Sequence, residues 1–321
     1  MDRMTPSAKT LAEAAAAGPS LADLPLSQAR AAVVAMAAQF GAGDEVATVE
    51  DIALSAPQGD LALRVYRPHT MQRLPALLWL HGGGWCTGNL DTSDALCRRL
   101  AARIGTVVAA LDYRLAPENP FPAALEDVDI AARWLADPAN GMTHEQGICI
   151  GGDSAGGNLA AAYAMNDPAV RIAAQLLAFP PVDSRGGYPS EVEFREGFFT
   201  TLDEFRTWIG HYLAGHEAAD PYASPLLAVG SGSPPALVLT AECDILRDSA
   251  EEFVDQLRQQ GVLVRSHRFT GMVHDFILFG DLLPESEPAT DLIAREFGEL
   301  LREAVGPPDR AGRKTQSSAG R

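Results

Sequence analysis

Five residues, Gly152-Asp153-Ser154-Ala155-Gly156, lie between an apolar run, Gly147 to Ile150, and a helix-favouring run, Asn158 to Met165. Glycines on either side of a serine, where a strand turns into a helix, permit a sharp turn that bulkier residues would block. A serine hydroxyl is unreactive in water, and such a turn exposes its oxygen and leaves a base room to reach it. Ser154 is therefore a candidate nucleophile. The pentapeptide alone also fits a glycine-rich strand end that packs closely. The strand before it and the helix after it favour the nucleophile, and the junction itself is a building unit of α/β architectures.

A second glycine cluster, His81-Gly82-Gly83-Gly84-Trp85, follows the apolar segment Leu74 to Leu80. Successive glycines leave backbone N–H groups uncovered and free to point at one spot. Attack on an acyl carbon puts negative charge on its carbonyl oxygen, and preorganised N–H donors there are worth about 2.7–4 kcal/mol each. The N–H after the nucleophile, here Ala155, completes such a hole. No Lys-Ser/Thr pair follows the glycines, and no Gly-x-Gly-x-x-Gly spacing opens a helix, so a phosphate loop is disfavoured. His81 reads as a residue that organises the loop rather than as a base.

A nucleophilic serine needs a base and an acid, in the chain order Ser, Asp or Glu, His. Of seven histidines, only His211, His216, His267 and His274 follow Ser154. His274 lies just past the strand-like Val262 to Phe269, in a loop at a strand's C-terminal end. His267 falls inside that strand and His211 and His216 in a helical stretch, which points to structural roles. For the acid, Ala236 to Thr240 reads as a buried strand, and Glu242, Asp244 and Asp248 compete in the segment after it. Asp248-Ser249-Ala250-Glu251 is a capping-box pattern for a helix that stops at Gly261. Glu242 suits a supporting position near the strand. Asp244 is the best partner for the imidazole. Asp153, beside the nucleophile, is expected to join supporting hydrogen bonds.

Strand signals at Val46–Leu54, Leu61–Tyr66, Pro75–Leu80, Val107–Leu111, Ile148–Ile150, Ile172–Phe179, Ala236–Thr240 and Val262–Phe269 alternate with helical ones. That alternation predicts an α/β fold with a mostly parallel eight-stranded sheet, flanking helices and ligands at the strands' C-terminal ends. A chain of 321 residues, 47% hydrophobic and 21% charged, can bury one such core. Two segments stand outside the alternation: residues 1–45, Ala-rich and helical, and the aromatic-bearing stretch 184–215. The remainder, 46–183 and 216–305, forms the main domain, and the Pro/Gly/Ser-rich tail 306–321 is expected to be disordered. Net charge −17 argues against nucleic acid and anionic membrane partners. The longest apolar stretches, such as Ile172 to Val182, fall short of the roughly 20 residues of a membrane span. No signal-peptide core precedes them, so the cytoplasm is the expected location. Cys86, Cys97, Cys149 and Cys243 have no metal spacing and read as reduced, buried thiols.

Four stretches together carry a resemblance. They are His81-Gly82-Gly83-Gly84-Trp85; Asp112-Tyr113-Arg114-Leu115-Ala116-Pro117-Glu118 with Phe121-Pro122-Ala123; Gly151 to Asn158; and Asp244 to Asp248 followed by Gly271-Met272-Val273-His274. Over roughly residues 45 to 300 the chain resembles the bacterial hormone-sensitive-lipase-like esterases of the α/β-hydrolase superfamily. The resemblance implies a carboxylic-ester hydrolase with Ser154, Asp244 and His274 as triad and the N–H groups of Gly83, Gly84 and Ala155 as oxyanion hole. It implies no metal or organic cofactor, and homodimers are common among similar proteins. It also implies that residues 1–45 and 184–215 join into a helical cap. Asp244-Ile245-Leu246 departs from the commoner Asp-Pro-Leu, a change in loop stiffness more than in chemistry. Within the cap, Leu202, Phe205, Ile209 and Tyr212 have helical spacing and suit cap packing. Phe198, Phe199 and Trp208, with Trp85, are candidate walls of a pocket for short-to-medium acyl esters. An amidase, peptidase or thioesterase would use the same triad. A ligand-binding protein on this scaffold would lack the histidine that this chain has at 274.

Overall fold

The computed structural model describes residues 2–142, 144–166 and 168–305, so the tail 306–321 lies outside the described residues. One sheet contains β1 (Thr48–Leu54), β2 (Leu61–Arg67), β3 (Leu77–Leu80), β4 (Val108–Asp112), β5 (Ile148–Asp153), β6 (Ile172–Ala178), β7 (Ala236–Cys243) and β8 (Val264–Val273). Their order is β1-β2-β4-β3-β5-β6-β7-β8. β2 runs antiparallel to both of its neighbours, and every other pair is parallel. All eight overlap the segments expected from sequence. β3, β5 and β6 are buried along their whole length, as strands covered on both faces must be. β1, at the edge, is mostly exposed.

The helices are α1 (Pro6–Ala16), α2 (Leu26–Ala37), α3 (Leu90–Ile104), α4 (Ala123–Ala136), α5 (Ala155–Met165), α6 (Pro189–Glu193), α7 (Leu202–Leu213), α8 (Arg247–Gln259) and α9 (Ser286–Val305). Side chains that alternate along each strand feed two cores. Leu78 and Leu80 join Leu125, Val128 and Leu159 of α4 and α5, and Val238 joins Phe253 of α8. Leu77 and Trp79 turn the other way, towards Leu100, Ile104, Phe297 and Leu300 of α3 and α9. Each such buried side chain contributes about 1.5–3 kcal/mol, so the sheet is clamped from both faces.

β5, β7 and β8 end at Asp153, Cys243 and Val273, one residue before Ser154, Asp244 and His274. These strands run three or four residues beyond the ends expected from sequence. In β7 and β8 a register shift at Ala241/Cys243 interrupts the alternation while the pairing resumes at Cys243 and Val273. In β5 the added residues include Gly151 and Gly152, poor strand formers held by pairing with Leu176 and Leu177. Helix α8 also differs. It starts at Arg247 with no side-chain cap, and Asp248 lies inside its first turn. The Asp248 carboxylate accepts instead from the Ser190 N–H at 2.8 Å, tying α8 to α6.

Candidate active site

Ser154 occupies the turn between β5 and α5 with φ 50° and ψ −121°. A positive φ at a side-chain-bearing residue costs about 1–3 kcal/mol, and the surroundings hold it in place. Its N–H donates to the Ala178 carbonyl at 2.8 Å. Gly156 lets β3 press against the turn, since a Cβ there would sit 1.9 Å from the Leu80 carbonyl oxygen. The position of Ser154 is thus set by backbone from two neighbouring strands.

Ser154 Oγ faces His274 Nε2 at 2.8 Å, and His274 Nδ1 lies 2.7 Å from Asp244 Oδ2. The second Asp244 oxygen accepts from the Leu246 N–H at 2.9 Å. All three residues are buried. Burial opposes charging the imidazole, but the carboxylates of Asp244, Asp275 and Asp153 outweigh it and push the His274 pKa up to about 9. The other two acids serve elsewhere: Asp248 holds Ser190, and Glu242 Oε2 accepts from the Gly271 N–H at 2.8 Å, stitching β7 to β8.

The glycine loop is fastened from below. Asp153 Oδ2 accepts from the Gly82 N–H at 2.9 Å, the supporting bond expected of it. His81 donates from Nδ1 to the Gly82 carbonyl at 2.7 Å and stacks on Tyr113 with ring centroids 4.3 Å apart. Tyr113 in turn donates its hydroxyl to the His81 carbonyl at 2.7 Å. Burial lowers the His81 pKa to about 4, so the ring stays neutral. Among the described residues, the N–H groups of Gly83, Gly84 and Ala155 have no protein acceptor.

Ser154 and His274 open onto a cavity of about 330 Å³. Its floor includes Gly82, Gly83 and Gly84, and its walls draw on Met36 and Phe40 before β1 and on Phe199, Phe205 and Trp208 of the segment 184–215. The two segments meet where α7 touches the turn Leu21–Asp23. Of the four aromatic residues expected at the pocket, Phe199 and Trp208 line it, whereas Trp85 and Phe198 do not. Trp85 is drawn into the core by stacking on Tyr212 at 4.6 Å, and Phe198 packs edge-on against Phe194 at 5.0 Å. Phe205, whose spacing suits helix packing, also reaches the cavity. Asp275 and Glu204 line it as well, and the sequence reading misses both. The available signal for Asp275 is its place directly after His274. Burial raises the carboxyl pKa of Glu204.

A mostly parallel sheet with a serine on a strand-to-helix turn, an imidazole at its hydroxyl and a carboxylate behind the imidazole defines a class, the α/β hydrolases. The family model described as alpha/beta hydrolase fold matches residues 77–278. The chain is 36% identical to an ethyl acetate hydrolase of Pseudomonas putida over 81% of its own length and 86% of that protein's. It is 35% identical to a carboxylesterase of Mycobacterium tuberculosis, covering 72% and 76%. Among solved structures, a hyperthermophilic esterase from Pyrobaculum calidifontis superposes with a TM-score of 0.86 at 36% identity, covering 95% of this chain and all of that one. The chain belongs to the α/β-hydrolase family, in its hormone-sensitive-lipase-like esterase branch.

Proposed function

We propose that this protein is a serine carboxylesterase that cleaves short-to-medium acyl esters through an acyl-serine intermediate. Membership of the esterase branch supports carboxylic-ester hydrolysis. The assignment of roles rests on one observation, the buried relay of 2.7 and 2.8 Å contacts from Asp244 through His274 to Ser154. His274 Nε2 takes the proton from Ser154 Oγ as that oxygen bonds to the ester carbonyl carbon. Charge moves to the carbonyl oxygen, which accepts hydrogen bonds from the N–H groups of Gly83, Gly84 and Ala155. Collapse breaks the bond to the alcohol oxygen, which leaves with the proton from Nε2. Water then attacks the acyl-serine with His274 again as base, releasing the acid and restoring Ser154.

A cavity of about 330 Å³ with mostly apolar walls supports a small ester over a long lipid chain. Residues 1–45 and 184–215 act in this reading as a cap over the catalytic domain, 46–183 and 216–305. The reading includes a cytoplasmic location, supported by four cysteines that are all free thiols, and a homodimer, which light scattering would detect. The test is hydrolysis of chromogenic esters from acetyl to palmitoyl by wild type and Ser154→Ala. Activity on the short and medium members, lost in the variant, is the expected result. A folded wild type that ignores every ester but cleaves matched amides or thioesters would overturn it.

A further inference from the structure

One carboxyl group at the relay has no task in this scheme. Asp275 takes a left-handed backbone, φ 55° and ψ 16°, a conformation that aspartate and asparagine adopt more readily than most residues. Its side chain is only 14% exposed and lines the cavity next to Ser154. Its Oδ2 lies 3.3 Å from His274 Nε2, the nitrogen that also faces Ser154 Oγ at 2.8 Å. Its Oδ1 has no protein hydrogen-bond partner among the described residues, and neither has Oδ1 of Asp153 on the same cavity.

The two protonation states of His274 treat this neighbour differently. With the Nδ1 proton donated to Asp244, a neutral ring turns the Nε2 lone pair towards the serine hydroxyl, and a carboxylate 3.3 Å away gains nothing from it. Once the serine proton has moved, Nε2–H is a cationic donor and the same carboxylate attracts it. An interaction that strengthens as charge develops accelerates the step rather than tightening the ground state. We propose that Asp275 is a positioning residue of the acyl-transfer cycle, which stabilises the His274 imidazolium and holds its Nε2–H between Ser154 and the leaving oxygen.

The surrounding charges agree. Asp244 faces His274 from the end of β7, Asp153 from the end of β5 and Glu204 from α7, and His81 lines the cavity as a neutral ring. Burial pushes the Asp275 pKa up to about 6, against the pull of His274. Burial, and next the charge of Asp275, drives Asp153 well above the usual carboxylate range.

The inference rests on the triad reading, and the experiment separates the two. Asp275→Asn keeps the shape and suits the left-handed backbone but removes the charge. In the pH profile of kcat/KM for a short acyl ester, its acid limb should move down by about one unit, because the imidazolium loses a stabilising charge. The alkaline plateau should fall about tenfold with a weaker base, while KM changes little. Asp275→Gly, fully at ease with the backbone, should do the same, and thermal melts establish that each variant is folded. A folded variant whose acid limb stays at the wild-type pH would overturn the inference, however much its plateau fell. A Ser154→Ala variant with full activity would instead overturn the triad.

Discussion

The hydrogen-bonded relay proposed for catalysis and the cavity walls above it are built in contrasting ways. Ser154, Asp244 and His274 each follow the last residue of a strand, and β5 to β8 are neighbours in one hydrogen-bonded sheet. The walls combine Met36 and Phe40, Phe199 to Trp208, and Leu278 and Phe279, residues far apart in the chain that no strand pairing unites. Ring contacts hold them, Phe40 on Phe279 at 5.0 Å and Phe279 on Phe199 at 5.1 Å. Arg30 of α2 adds a tie: it donates to the Cys86 carbonyl at 2.8 Å and pairs with Glu118 through both carboxylate oxygens. The difference teaches that the proposed chemistry would be anchored to the ends of hydrogen-bonded strands, while the proposed substrate walls rest on helices and loops outside the sheet.

The largest expected effect breaks the sheet-anchored half. Ser154→Ala or His274→Ala should lower kcat by about 10⁶ with substrate binding largely kept, as judged by steady-state kinetics and ligand titration. Asp244→Asn should lower kcat by about 10⁴, since the ring then loses the partner that fixes its tautomer. Near-wild-type turnover in that variant would move the acid to another carboxylate. Variants in the walls should act on selectivity. Phe40, Thr92 and Leu278 line both the active-site cavity and a second hollow of about 630 Å³ that includes Arg64 and Asp91. Phe40→Ala should join the two and raise kcat/KM for long acyl chains relative to short ones about tenfold, at a stability cost of about 3 kcal/mol. An unchanged chain-length profile would mean that Phe40 is not the end of the acyl site. The smallest effect is expected from Arg30→Ala, whose pair with half-exposed Glu118 contributes little. Its melting temperature should drop by about 1–2 °C, consistent with a loss near 1 kcal/mol in a chain of 321 residues, with KM rising more than kcat falls.

The same contrast governs how much of the molecule is legible in its sequence. The relay is legible because each member sits in a short local pattern: glycines around Ser154, Gly271 to His274 after a strand, Asp244 after Ala236 to Thr240. The strand ends are harder, because Gly151 and Gly152 look like loop and the shift between Ala241 and Cys243 hides the continuing pairing. The capping-box pattern at Asp248 misleads because the carboxylate satisfies Ser190, 58 residues away, and no local pattern announces that. The walls are half legible. An aromatic-rich stretch marks the right segment, but helix phase and distant partners decide which rings face the cavity. Trp85 suggests a pocket residue by its closeness to the glycine loop, yet Tyr212, 127 positions later, draws it into the core.

The central claim is that Ser154 carries the acyl group, and covalent labelling tests it most directly. Incubation with a fluorophosphonate ester, followed by intact-mass measurement and peptide mapping, should give one adduct per chain on the peptide containing Ser154. Ser154→Ala should give none, and His274→Ala should label far more slowly. An adduct on another residue, or no adduct on a folded wild-type chain, would contradict the account.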